Sequence, residues 1–85
     1  MYYTYILKSL KNNRFYTGST NNLKRRLAEH NSGSSKYTRL TRPFVLIYQE
    51  SYNTRKEAVQ RELFLKSGQG RAWIKSNLIN LIPGL

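Results

Sequence analysis

The sequence of 85 residues contains no cysteine and no aspartate. Without cysteine, disulfides and zinc–thiolate centres are excluded. A single histidine, His30, excludes a histidine-rich metal site. Every acid is a glutamate (Glu29, Glu50, Glu57 and Glu62), so any carboxylate chemistry must use one of these four. No apolar run approaches the length of a membrane span, and the opening "MYYTYILKSL" lacks the layout of a signal peptide. A cytoplasmic location with no membrane partner is therefore expected. Internal repeats and low-complexity tracts are also absent.

What is plentiful is positive charge. Fifteen Lys and Arg stand against the four Glu, for a net charge of +11. Such a field attracts polyanions and speeds their encounter, so nucleic acid is the leading partner class. The rest of the composition is that of a folded domain, with 39% hydrophobic and 22% charged residues. A chain this short forms one domain, residues 1–85, and buries only about 60–65% of its unfolded surface. That leaves no room for a large cofactor pocket, and no small-molecule cofactor is expected.

Residues 2–9, rich in Tyr, Thr, Ile and Leu, suit a strand. Asn12-Asn13 suit a tight turn, and "RFYTG" returns as a second strand. With those two asparagines as the loop, Ser9 opposes Tyr16, and Tyr5 and Tyr16 share a face. A slip of two residues preserves that face and a slip of one destroys it. Gly18 is expected to end the strand. Thr20 or Asn21 then caps a helix running to about Asn31, with Gly33 just past its end. "SGSSKYTRLTRP" reads as a polar, basic loop and "FVLIYQESY" as the third strand. Thr54 and Glu57 form a capping box for a helix to about Lys66, ended by Gly68. "GQGR" is a link, and "RAWIKSNLINLI" is a last helix stopped by Pro83-Gly84. The fold class is thus α+β: a small three-stranded antiparallel sheet flanked by helices, in the order β-β-α-β-α-α.

Of the four glutamates, Glu57 is spent on a cap, Glu50 follows the core of a strand, and Glu29 lies beside Arg25 and Arg26. Glu62 lies mid-helix with Ala58 and Leu65 on its face, at the edge of the buried stripe. Elimination makes it the best metal ligand of the four, although spacing alone favours an ordinary exposed glutamate. Arg26 and His30, at i and i+4, share one helix face. On charge alone the helix is a solvated or phosphate-touching surface, and Arg25 fits that role. His30 reads equally as a surface histidine or as a group that orients a tyrosine or assists proton transfer.

Taken together, Tyr5, "FYTG" at Phe15–Gly18, "LKRRLAEH" and Glu62 in a later helix resemble the GIY-YIG nuclease domain. The resemblance covers nearly the whole chain and is nearest to short single-domain bacterial members, which tend to carry stretches like "HNSG…KYTR" and "LKSGQGRAW". Of the first motif only the Tyr survives, in Tyr3-Thr4-Tyr5; the second reads Tyr16-Thr17-Gly18, with Thr for Ile. The resemblance implies a metal-dependent endonuclease acting on DNA. It assigns Tyr5 and Tyr16 to water activation and to positioning of water or phosphate, in an order left open. It makes Arg26 the stabiliser of the pentavalent transition state, His30 its neighbour in the site, and Glu62 the ligand of Mg²⁺, with Mn²⁺ as substitute. A family Asn near the metal corresponds to Asn77 or Asn80, with Asn77 preferred. Lys36, Arg39, Arg42, Arg71 and Lys75 are candidates for contacts to the nucleic-acid backbone, with Arg25.

The expected function is therefore DNA phosphodiester hydrolysis directed by DNA structure or a very short context, since these residues hold no zinc finger or helix-turn-helix. Two rivals share the charge: a basic nucleic-acid-binding module that keeps the fold without turnover, and a protein docking on an acidic partner or ribosomal RNA. Repair, mobile-element activity and DNA processing are all compatible with the leading reading, and either single- or double-stranded DNA fits it.

Overall fold

The computed structural model describes residues 1–33 and 36–78. Among them the backbone begins with a hairpin, β1 (Tyr2–Ser9) and β2 (Phe15–Thr20). The expected two-residue turn is replaced by a four-residue one, residues 10–13, and the cause is local side-chain hydrogen bonding. The Ser9 hydroxyl accepts from the amides of Lys11 and Asn12, both at 3.2 Å, and Asn12 Oδ1 accepts from the Arg14 amide at 2.9 Å. Asn13 takes the positive φ, 62°, which Asn tolerates better than most residues. The register therefore slips by two: Tyr16 opposes Leu7, and Gly18 opposes Tyr5. Because the slip is even, Tyr5 and Tyr16 still share a face.

Gly18 does not end the strand. Strand β2 runs through it to Thr20. Helix α1 (Leu23–Ser32) is capped by Asn22, whose Oδ1 accepts from the Arg25 amide at 3.0 Å, rather than by Thr20 or Asn21. Gly33 closes it in the left-handed conformation, φ 73°. The basic loop that follows contains a short helix, α2 (Lys36–Thr41). It stops before Pro43, which disfavours helix in the preceding residue. Strand β3 (Phe44–Tyr52) then pairs with the free side of β1, giving an antiparallel sheet in the order β2-β1-β3. Helix α3 (Arg55–Lys66) starts at the expected Thr54–Glu57 box: the Glu57 amide donates to Thr54 Oγ1 at 3.3 Å and the Thr54 hydroxyl donates to Glu57 Oε1 at 2.8 Å.

Gly68 opens a helix instead of closing one: α4 spans Gly68–Leu78, and Ser67 caps the end of α3. "GQGR" is therefore helical. Gly70 permits this, because a Cβ there would overlap the Phe64 carbonyl and Leu65 backbone. The rest of the expected last helix, residues 79–82, lies outside the described residues.

Alternation along β1 divides the core in two. Ile6 faces α3 and α4 and packs with Leu65, Ile74 and Leu78. On that side the buried Thr4 hydroxyl donates to the Ala58 carbonyl at 2.7 Å, tying sheet to helix. Tyr5 and Leu7 face the other way and pack with Phe44, Tyr16, Leu23 and Leu27 beneath α1. The sheet thus separates two small cores, and β2 is an edge strand between them.

Candidate active site

A cleft of about 930 Å³ lies over β2. Residues 14–19 line it consecutively, so both faces of the edge strand contribute. Tyr5, Arg26 and His30 enter from the α1 side, and Glu62, Lys66, Arg71 and Lys75 from the α3–α4 side. The two half-sites meet around a strand that has a helix layer on each face.

On the α1 side, Tyr5 is 3% exposed. A Cβ at Gly18 would overlap its ring and hydroxyl, so the glycine serves close approach rather than a turn. Arg26 Nε donates to the Tyr5 hydroxyl at 3.3 Å, and its Nη1 lies 3.6 Å from Glu29 Oε1. The hydrogen bond to Tyr5, only partly opposed by burial, raises Arg26 above the ordinary guanidinium value, so it is charged at any working pH. His30 Nδ1 lies 2.9 Å from the Arg26 carbonyl. A carbonyl only accepts, so Nδ1 carries the hydrogen and Nε2 of the neutral ring keeps its lone pair. The His30 ring meets Tyr5 and Phe44 edge-on, at centroid distances of 6.4 and 5.4 Å, and Phe44 meets Tyr16 at 5.2 Å. The Tyr16 hydroxyl accepts from Asn12 Nδ2 at 3.2 Å.

On the α3 side, Glu62 is held by its neighbours. The Ser19 hydroxyl donates to Oε1 at 2.7 Å, and Lys66 Nζ donates to Oε2 at 2.6 Å. Its side chain is 18% exposed, against 51% for Lys66. Ala58 and Leu65, on the face expected for them, are both buried. Among the described residues no three His, Cys, Asp or Glu cluster to hold a metal. The donor set is one carboxylate beside one hydroxyl, hard oxygens that suit a cation completing its shell with water and phosphate oxygens. The half-exposed Lys66 ammonium must swing aside for that, which its flexible stem allows. The residues therefore fit a divalent cation on Glu62.

Tyr5, Tyr16, Arg26, His30, Glu62, Arg71 and Lys75 line this one cleft. Asn77 does not: its Nδ2 donates to the Trp73 carbonyl one turn back, at 2.8 Å. Arg25 Nη2 donates to Asn21 Oδ1 at 3.1 Å and lies in a neighbouring depression. Arg42 reaches the Asn31 carbonyl, at 3.5 Å, and like Arg39 is exposed. The Lys36 side chain and Asn80 lie outside the described residues. Three contributors escaped the reading of the sequence. Lys66 sits at i+4 from Glu62, a spacing that signals an ion pair. Ser19 carries no local signal and becomes visible only once β2 is placed against α3. Phe44 looks like any core aromatic until the rings of Tyr16 and His30 are seen against it.

The GIY-YIG catalytic domain matches residues 1–76. The chain belongs to the GIY-YIG family. In this GIY-YIG domain the Tyr of the first motif and the Gly of the second are direct cross-strand partners, Tyr5 and Gly18. Similar relatives are short. The UPF0213 protein SH2523 of Staphylococcus haemolyticus is 46% identical over 67 residues, which span 78% of this chain and 80% of that protein. The UPF0213 protein YazA of Bacillus subtilis is 42% identical over 66 residues, or 76% of this chain and 66% of its own. A solution NMR structure of the UPF0213 protein BH0048 from Bacillus halodurans is similar over 99% of this chain and 88% of that one, with a TM-score of 0.54 and 35% identity. A domain of this nuclease family implies a nucleic-acid substrate and, typically, a divalent metal. No helix among the described residues is long and apolar enough to cross a membrane.

Proposed function

We propose that this GIY-YIG domain is a divalent-metal-dependent endonuclease that hydrolyses DNA phosphodiester bonds. The observation that carries this reading is the convergence of the Tyr5–Arg26–His30 group and the Glu62–Ser19 pair on one cleft. In hydrolysis a water adds to phosphorus, its proton passes to an acceptor, and the bond to the leaving sugar oxygen breaks. Arg26, anchored through Nε to Tyr5, directs its remaining N–H groups at the phosphoryl oxygens, where negative charge grows. Tyr5, with Arg26 on its oxygen, and Tyr16 position the water and the phosphate. His30 Nε2 is an acceptor for the departing proton. Glu62, with the Ser19 hydroxyl beside it, would hold Mg²⁺ or Mn²⁺, which when bound supplies charge neutralisation at the phosphate. Arg71 and Lys75, on the rim, engage the backbone on either side.

The test is nicking of supercoiled DNA and cutting of single strands with Mg²⁺, Mn²⁺ or a chelator. Glu62→Gln keeps the shape and loses the charge, so cleavage should fall to the chelator background while DNA binding is retained. Wild-type cleavage that persists in chelator, or in Glu62→Gln, overturns the assignment.

A second reading, a nucleic-acid-binding module without turnover, draws on one observation: both Glu62 oxygens already have partners, one of them an ammonium. Salt-sensitive binding with no cleavage under either cation would favour it.

A further inference from the structure

A second depression, of about 490 Å³, adjoins the cleft and shares Ser19 and Arg26 with it. It lies where β2 hands over to α1, and Arg25, Arg26 and Arg55 line it together with Tyr2, Asn21 and Glu29. Arg55 is the first residue of α3 and is brought to α1 only by the fold. Among the described residues Arg25 bonds a neutral amide, and neither Arg25 nor Arg55 forms an ion pair. Glu29 is the one carboxylate lining the depression, and it lies 3.6 Å from Arg26. Three guanidiniums against one carboxylate leave a net charge of about +2, in a polar recess that a phosphate can enter.

We infer that this recess is a second phosphate subsite, built by Arg25 and Arg55, which takes a phosphate flanking the reactive one on the same nucleic-acid strand. The inference rests on reading the cleft as a nucleic-acid site and adds the path of the strand. Residues 14–19, at the start and along β2, floor the first cleft, and residues 19–21 floor the second. The strand therefore runs along the sheet edge from Arg71 and Lys75 toward Arg25 and Arg55. The reactive phosphate sits at the shared residues, Ser19 and Arg26. Arg55 thereby becomes a binding residue although it is distant in sequence from both motifs.

The test measures binding, in chelator, so that it is independent of turnover. Arg55→Gln is compared with Lys56→Gln, which removes the same charge one residue away from a side chain that lines neither recess. Arg55→Gln should weaken oligonucleotide affinity about 10-fold, as expected for losing one charged hydrogen bond. It should also flatten the slope of log affinity against log salt by about 0.7 for single strands or about 0.9 for duplex. Lys56→Gln should do neither beyond a small change. Replacing single phosphates by neutral methylphosphonates should reveal one flanking position that costs wild type affinity and costs Arg55→Gln almost nothing. Equal effects of the two variants, or no such position, overturn the subsite. Should Arg55→Gln prove unfolded by circular dichroism, the methylphosphonate series is repeated with Arg55→Ala, where loss of the position-specific cost decides in favour and its full retention decides against. Cleavage that fails in Glu62→Gln while Arg55 proves neutral would leave the nuclease reading standing without the subsite. The reverse pattern would leave the subsite standing without the nuclease.

Discussion

The two faces of the sheet carry the two halves of the site on unequal foundations. The α3–α4 face is densely anchored: Ala58, Leu65, Gly70, Ile74 and Leu78 are all buried. It is also braced by a polar cluster away from the cleft. Arg61 Nε meets Glu50 Oε1 at 2.9 Å, and Tyr48 and Tyr52 donate to the same carboxylate at 2.6 and 2.7 Å. Arg61 further lies over the rings of Phe64 and Trp73, at 5.0 and 4.8 Å. The α1 face rests on a smaller core, of Tyr5, Leu7 and Phe44. No residue of α1 is fully buried, and the helix is held by its caps, by Leu23 and Leu27, and by Asn31, which bonds the Phe44 backbone at 2.6 and 3.1 Å. The carboxylate thus sits on the firmer side, where its position is set by packing. The guanidinium sits on the looser side, where, in the proposed reaction, it could follow a phosphate whose geometry changes.

The largest test of this contrast is stability. Leu65→Ala should cost about 2–5 kcal/mol, because a fully buried leucine leaves a cavity in the α3–α4 core. Leu27→Ala, on the half-buried inner face of α1, should cost about 1 kcal/mol. Urea unfolding of both variants measures the difference, and equal costs would mean that α1 is as firmly seated as α3.

Next comes chemistry. Arg26 and Arg25 are neighbours, so Lys at either position preserves the net charge. Successive helical residues point about 100° apart, and only Arg26 reaches Tyr5. Arg26→Lys should lower the single-turnover cleavage rate about 100-fold, the scale of losing one preorganised donor. Arg25→Lys should change it only a few-fold. Equal small effects would reduce α1 to an electrostatic lure.

The smallest effect is a pH dependence confined to the braced face. Burial works to raise the Glu50 carboxyl, but hydrogen bonds from Tyr48, Tyr52 and Arg61 outweigh it and hold the value below the ordinary 4.5. A lowered folded value contributes stability above the unfolded one, and that contribution is lost as pH falls through the folded value. Tyr48 and Tyr52, pushed up to about 12 first by burial and then by Glu50, contribute in the opposite sense: fully below pH 10, and fading as pH rises from there toward 12. The stability gap between wild type and Glu50→Gln should therefore be constant near neutrality and shrink below about pH 4.5. Thermal unfolding at stepped pH reads it directly, and a gap that widens in acid would contradict the bracing role.

Much of this was legible in the residues, and what was not has identifiable causes. Alternation and capping placed the strands and the helices α1 and α3, because those signals are local. The turn slipped because the Ser9 hydroxyl and the Asn12 side chain collect the amides of Lys11, Asn12 and Arg14, a competition that composition does not reveal. Gly18 looks in the sequence like a strand end and Gly70 like part of a link, yet both permit close approach: by the Tyr5 ring in one case, by the backbone of α3 in the other. Such roles depend on what lies across the fold. Tyr5 and Tyr16 came to one face by parity, which survives an even slip. Ser19, Phe44 and Arg55 did not show themselves, because each joins its site through partners distant in sequence.

Strand β2 has one further consequence. No strand among the described residues pairs with its outer side, so the ribbon that floors the cleft is also a template on which a second copy of the chain could zip. The surplus of cationic side chains opposes that contact: two copies carrying +11 each repel before their edges meet. Colloidal solubility and attraction to polyanions are then one property expressed in two settings. Concentrated salt, which shrinks the screening length to about 3 Å at 1 M, weakens both together. Conditions that strip nucleic acid from the protein are the same ones that let its bare edges approach.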